Sequence, residues 1–226
     1  MSIEDRIYKN LLFDNRYLLI LEGIKVTLVI ALFSCLLGGL VGLLICSIRM
    51  AKNKYLSALA KVYIHFFRSI PIVLLLLLTY YMVFANVRLS AVSVSIVAFS
   101  LYHSAYVAEV FRSGLNSVDN VQIDVSISMG FTKWQSYMYI ILPQAIRVVF
   151  PVYRGEFMTL IKLTSIVGYI GVRDLTRAND IIRSQTFDAF FPLLFAVLVY
   201  FIIIGVFTFI LNILERMINP RKRLKA

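Results

Sequence analysis

The sequence predicts an all-α integral membrane protein: a five-helix bundle, N-terminus outside and C-terminus inside, with a short cytoplasmic helix between two spans. Three observations carry this reading. The 226 residues are 60% hydrophobic and 15% charged, with a mean hydropathy of +0.84, far more apolar than a soluble domain. The apolar residues gather into five runs of bilayer-crossing length. The basic residues gather on one set of the connections between those runs.

The spans are read at about 19–48, 62–87, 89–111, 136–170 and 189–214 within a single transmembrane domain, 1–226. About 20 apolar residues cross the hydrocarbon as a helix, and runs of this length are too long for barrel strands. The first run is uncharged from Val26 to Ile48, with Glu22 and Lys25 at its start. Its two cysteines, Cys35 and Cys46, stand about 16 Å apart along a helix and cannot bond to each other. Gly38 and Gly42 form a G-x-x-x-G that suits close helix packing. Phe33 is too bulky for "LFSC" to be a cleavage site and the run continues to Ile48, so no cleavable signal peptide is expected. The second helix is expected to begin before Arg68. The fourth run carries Arg147, Arg154, Glu156 and Lys162, with Pro143 and Pro151, and a break is expected near Pro151.

Net charge is +11. No basic stripe is interleaved with exposed aromatics, so nucleic acid is not the expected partner. Arg49, Lys52, Lys54, Lys61, Arg112, Lys133, Arg147, Arg216 and the four bases of "RKRLKA" fall on one side, with Asp119, Asp124 and Glu215. Seven bases fall on the other, diluted by a similar number of acids. The first side is therefore expected to be cytoplasmic.

That side holds "SVDNVQIDVSISMGFTKWQ", 117–135, far longer than a connection needs to be. Ser117 reads as an N-cap with Asp119 in the first turn, Gly130 as a C′ residue, and Thr132 with Gln135 as a capping box. The middle also alternates as a strand would, but a lone strand would find no partner for its backbone. A helix over about 117–130 is expected, apolar on two sides and so packed on both.

The chain carries no G-x-x-x-x-G-K-[ST]; "GGLVGLL" at 38–44 has no lysine. No nucleophile–base arrangement is legible, and no enzyme is expected. His65 and His103 have no ligand-spaced companions, so hydrogen bonding between helices is preferred to a metal site. Glu156 is the one acid deep in the fourth run. A charge at that depth costs about 2.5–3.5 kcal/mol on insertion scales and faces a partner or a cavity. Two readings stand: a structural pair with Arg68 or Lys162, or contact with substrate. Glu156 and Arg68, one anionic and one cationic, are the candidate substrate-binding residues.

"AYVAEVFRSGLNS", Gln122, Gly130 and "ILPQAIR" resemble the EAA loop of membrane-spanning permease subunits of ABC importers, closest to the polar amino acid (histidine/glutamine/arginine-type) branch. "FFRSIPIVLLLLLTYY" resembles the family's F-R-G-T-P-L signature, and "LIKLTSIVGYIGVRDL" its L-K-x-T-S-L segment with a following acidic-Leu pair. In order, the matches reach from about Gly23 to Glu215. The resemblance implies a coupling helix that docks on an ATPase subunit, carried onto Ser117, Gln122, Asp124, Ser126 and Gly130. It implies a second permease subunit, identical or homologous, two ATP-binding subunits with ATP and Mg held there, and an external substrate-binding protein or domain. No cofactor is expected in this chain. The expected setting is the bacterial inner membrane, multi-pass, with a polar or charged amino acid as substrate. Asp119, Val121, Asp124, Val125 and Ser126 depart from the family's loop, implying a differently shaped cleft on a specialised ATPase. The alternatives are a subunit of an ion-gradient-driven transporter or channel, which has no evident need for a docking helix, and a scaffold, which has none for an acid inside a span.

Overall fold

Long apolar runs without interior breakers give long helices. A computed structural model describes residues 2–119 and 121–219. Asn120 and the basic tail 221–226, both used above, lie outside the described residues. Every element assigned among those residues is helical. In chain order the α-helices are α1 (Ile3–Ile7), α2 (Tyr17–Arg49), α3 (Lys54–Ser69), α4 (Ile72–Leu78), α5 (Ala91–Asn116), α6 (Val121–Ser128), α7 (Lys133–Ser136), α8 (Leu142–Leu163), α9 (Leu175–Thr186) and α10 (Phe190–Ile218). Single wide turns continue α4 over Thr79–Val83 and join α7 to α8 over Tyr137–Ile141, and a tighter 3-10 stretch follows α8 over Thr164–Ile170.

Among the described residues, three helices, α2, α5 and α10, are long and apolar enough to cross a membrane alone, and the total reaches five if each of two bent pairs counts as one span. The runs at 19–48, 89–111 and 189–214 correspond to these three; α2 is longer at both ends, whereas α5 and α10 start slightly later and run further at their C-terminal ends. The other two runs need correction. The helix expected over 62–87 is interrupted at Ile70–Pro71. Proline has no N–H to donate and pushes the residue before it out of the helical region, so the chain stops and restarts. Pro151, by contrast, sits inside an unbroken α8. Removing one N–H frees one carbonyl, which a membrane helix tolerates where neighbours compensate. The turn comes later, at Gly171, whose φ of 79° suits a residue without a Cβ. Beyond it lies α9, which the hydropathy of the sequence does not announce.

The chain divides into two compact units. The first comprises Met1–Leu36, Ile70–Ser100 and Met158–Phe207. Its core includes Ile30, Leu76, Phe99, Leu160, Ile161 and Leu175, all fully buried. Asp174, also fully buried, caps α9 by accepting from the backbone N–H groups of Thr176 and Arg177, and the Tyr200 hydroxyl donates to it at 3.4 Å. The next N–H, from Leu175, goes to the Thr27 hydroxyl of α2. Gly23 permits this approach, since a Cβ there would stand 2.9 Å from the Asp174 carbonyl oxygen.

The second unit comprises Leu37–Ser69, Leu101–Phe157 and Thr208–Ala226. Cys46, Ile64 and Ala108 form one buried cluster, and Val118, Ile141 and Ala145 another. Gly42 lies against Ser104 and Val107 of α5, and Gly39 against the Tyr153 hydroxyl of α8, so Gly39 and Gly42 make the close approaches described here. Arg154 meets Glu215 at 2.8 Å and also bonds to Asn212. His103 is buried beside the Tyr153 ring, whereas His65 is exposed.

Candidate functional site

Two features of the second unit bear on function: a charged cavity and the α6 segment. The cavity, about 320 Å³, lies among α3, α5 and α8. Arg68 comes from the last turn of α3, Tyr106 and Glu109 from α5, and Glu156 from α8. Val110, Val148 and Val152 supply apolar wall, with Ser113 and Gly114 at the α5 side. A contiguous space of about 350 Å³ shares Arg68, Tyr106 and Glu109 and adds Lys61, Ile64 and His65.

The structure thus brings Glu156 and Arg68 to one cavity. It does not pair them: among the described residues, no ion pair joins Glu156 to Arg68 or to Lys162. Arg68 instead stacks its guanidinium over Tyr106, 5.0 Å from the ring centroid, a cation–π contact that holds the charge while leaving its N–H donors open. The Tyr102 hydroxyl donates to the Tyr106 hydroxyl at 3.2 Å. Glu109 is engaged differently. One of its oxygens accepts from both Nε and Nη2 of Arg112, at 2.9 and 2.7 Å. Among the described residues, neither the Glu156 carboxylate nor the Arg68 guanidinium is in an ion pair, and both line the cavity beside the paired Glu109 and Arg112. Tyr106 and Glu109 were missed as cavity residues. The Glu109–Arg112 spacing of three was a readable helix-surface pair, but a pair does not reveal which wall it lines.

The α6 segment starts later than its caps suggested. The Ser117 hydroxyl donates back to the Gly114 carbonyl, at the end of α5, rather than capping a new helix. Asp119 accepts from the Val121 N–H, and α6 then runs from Val121 to Ser128 instead of 117–130. Its end is as expected. Gly130 has φ 93°, its N–H reaches the Ile127 carbonyl and that of Phe131 the Ser126 carbonyl, the paired bonds of a Schellman ending. Thr132 and Gln135 form the capping box that opens α7.

The two faces of α6 differ. Ser126 is 1% exposed and its hydroxyl donates to Ser136 at 2.5 Å. The Gln144 amide donates to the Gln122 carbonyl oxygen at 2.6 Å, and Gln122 donates back at 3.4 Å. Gln122 and Ser126 thus turn inward, onto α7 and α8. Val121, Asp124, Val125 and Ser128 are exposed, and Met129 and Trp134 extend that apolar surface with exposures of 73% and 71%.

Proteins of known description share this chain's sequence and fold. It is 32% identical over 206 residues, 90% of its own length and 94% of the other's, to a Rickettsia felis protein named as a candidate glutamine transport system permease. It is 35% identical over 198 residues, 87% and 88% of the two lengths, to a Bacillus subtilis protein named a probable amino-acid ABC transporter permease. Among solved structures, a chain of an amino acid ABC transporter crystallised with histidines matches with a TM-score of 0.80 and 34% identity, covering 88% of this chain and 94% of that one. A chain of an inward-facing methionine ABC transporter shares the fold at a TM-score of 0.74 and 19% identity, covering 90% and 97%. The sequence profile of binding-protein-dependent transport system inner membrane components matches residues 25–224, and the chain belongs to that family.

Proposed function

We propose that this chain is the membrane-spanning permease subunit of an ATP-driven ABC importer that moves polar or charged amino acids into the cytoplasm by alternating access. The observation that carries the substrate reading is the cavity that offers Glu156 and Arg68 without joining them. In this reading Glu156 takes the substrate ammonium and Arg68 its carboxylate, in a bidentate contact that Lys cannot reproduce. A volume of about 320 Å³ stands at the lower end of the range for small-molecule sites, about 300–1,000 Å³. The relatives named as amino-acid permeases support the substrate class.

Energy comes from outside the chain. Two ATP-binding subunits hold ATP and Mg, a second permease subunit completes the pathway, and an external binding protein or domain delivers substrate. The α6 segment docks on an ATPase through Val121, Asp124 and Val125, its exposed side, with Gln122 and Ser126 supporting it from behind. The chain sits in a bacterial inner membrane as a five-span protein, N-terminus outside and α6 in the cytoplasm, the orientation its basic connections favour.

The test is transport by charge-altered cavities. Truncating one member of a desolvated charge contact costs about 2–5 kcal/mol, or roughly thirty-fold to several-thousand-fold in affinity. Glu156→Gln and Arg68→Gln are each expected to lose substrate-dependent uptake on that scale while the complex assembles and basal ATP hydrolysis persists. Uptake at the unsubstituted level by Glu156→Gln would remove that residue from the site. Loss of assembly would instead make it structural.

A further inference from the structure

We infer that the Gln122–Gln144 amide pair, with the buried Ser126–Ser136 bond, is the linkage that carries movement of α6 to the cavity wall of α8. The inference rests on the reading of α6 as the ATPase-docking helix, and it assigns to Gln122 and Gln144 a positioning role that docking alone does not require.

An eight-residue helix is not stable by itself and holds its place only through tertiary contacts. The two inward polar residues of α6 stand four apart, on one face, and both bond to the segment that follows: Ser126 to Ser136 in α7, Gln122 to Gln144 in the first turn of α8. Two separate side-chain bonds fix the rotation of α6 as well as its distance. Apolar contact closes the gap between them, Val118 packing with Ile141 and Ala145 and Ile123 covering the cluster.

The amide geometry is specific. Gln144 Nε2 donates both to Gln122 Oε1 at 2.6 Å and to the Ile140 carbonyl at 2.9 Å, so its two hydrogens are committed, one to the wide turn before α8 and one to α6. Turning the amide over would set its oxygen against the Ile140 carbonyl, which cannot donate. Gln144 is thereby pinned, and so is whatever it holds.

From Gln144 the face of α8 leads to the cavity. Val148, Val152 and Glu156, all cavity-lining, follow at steps of four, each displaced by roughly 40° around the helix. Twelve residues at about 1.5 Å each set Glu156 about 18 Å from Gln144 along an unbroken helix. Alongside, Gly114 of α5 meets Val149 so closely that a Cβ would stand 2.1 Å from its Cγ2. A displacement of α6 therefore reaches Glu156 along a single helix, which stays continuous through Pro151.

The test uses the assembled complex, with its ATPase and binding protein, in proteoliposomes. The readouts are uptake of a radiolabelled mixture of L-glutamine, L-histidine and L-arginine per ATP hydrolysed, and crosslinking to the ATPase from Val125→Cys. Gln144→Met and Gln122→Met keep side-chain length and remove the amide bonds. Gln144→Met is expected to retain the Val125 crosslink and ATP hydrolysis while uptake per ATP falls by roughly five-fold or more, the scale of one lost hydrogen bond, and Gln122→Met is expected to lower uptake per ATP alike. The double variant Gln122→Glu/Gln144→Lys restores an acceptor and a donor across the same gap and is expected to recover coupling. An unchanged uptake-to-hydrolysis ratio in the Met variants overturns the proposal, as does a proportionate fall of both activities, the signature of a merely structural contact. Should the Met variants fail to assemble, the double variant decides: assembly with coupling supports the linkage, and assembly without coupling overturns it. A Val125 crosslink missing from otherwise unsubstituted protein is a different failure, of the docking reading itself, and the linkage falls with it.

Discussion

Glycine and small hydroxyl residues decide how closely these helices meet, and Gly114 is the sharpest case. It lies on α5 where α8 crosses with Val149 against it and the Ala145 carbonyl 3.4 Å from a built Cβ. A β-branched valine in a helix has one strongly preferred rotamer and cannot swing aside. Gly114→Ala is therefore expected to destabilise the protein by about 1–3 kcal/mol, the usual cost of overpacking. Trimming Val149→Ala in the same chain should recover most of that loss. Thermal unfolding in detergent checks it, and an unshifted transition for Gly114→Ala would show that α5 and α8 do not pack as described. The charges of the cavity belong to the same scale. Arg68 held over Tyr106 and Glu156 in no ion pair among the described residues are separate local facts, and their value lies in lining the same space.

At the scale of elements, α6 is the informative one. Its exposed residues carry the docking reading, so cysteines at Val121, Asp124 or Val125 are expected to crosslink efficiently to the ATPase subunit. A cysteine at Ser126, 1% exposed, should crosslink weakly or not at all. Efficient crosslinking from Ser126 with none from Val125 would mean that the helix presents its other face. Local chemistry made the end of α6 legible: Gly130 needs a positive φ, and Thr132 with Gln135 is a reciprocal cap. The start was misread because a serine hydroxyl serves equally as a cap or as a donor to its own helix three residues back, and Ser117 does the latter. The inward turn of Gln122 and Ser126 was not legible, since both stripes of this short helix are apolar and only Ser136 and Gln144, from later in the chain, distinguish them. Proline behaved in both ways. Pro71 ends a helix and Pro151 does not, a difference set by surroundings the sequence does not display. The long spans were legible because hydrocarbon imposes a length on any helix that crosses it.

For the whole molecule, the composition, the family and the relatives agree on transport across a membrane. The chain carries no G-x-x-x-x-G-K-[ST], and in the proposed reading the energy for accumulation arrives through ATP-binding partners. A carrier driven by an ion gradient would need no such partner, and the two accounts differ in what stops uptake. The decisive measurement is amino acid uptake by the purified complex in proteoliposomes, with binding protein outside and ATP supplied to the ATPase side, under conditions that vary ATP and ion gradients independently. Uptake is expected to require ATP, to be abolished by a non-hydrolysable analogue, and to survive ionophores that collapse every ion gradient. Uptake that continues without ATP and disappears with the ion gradient would contradict the account.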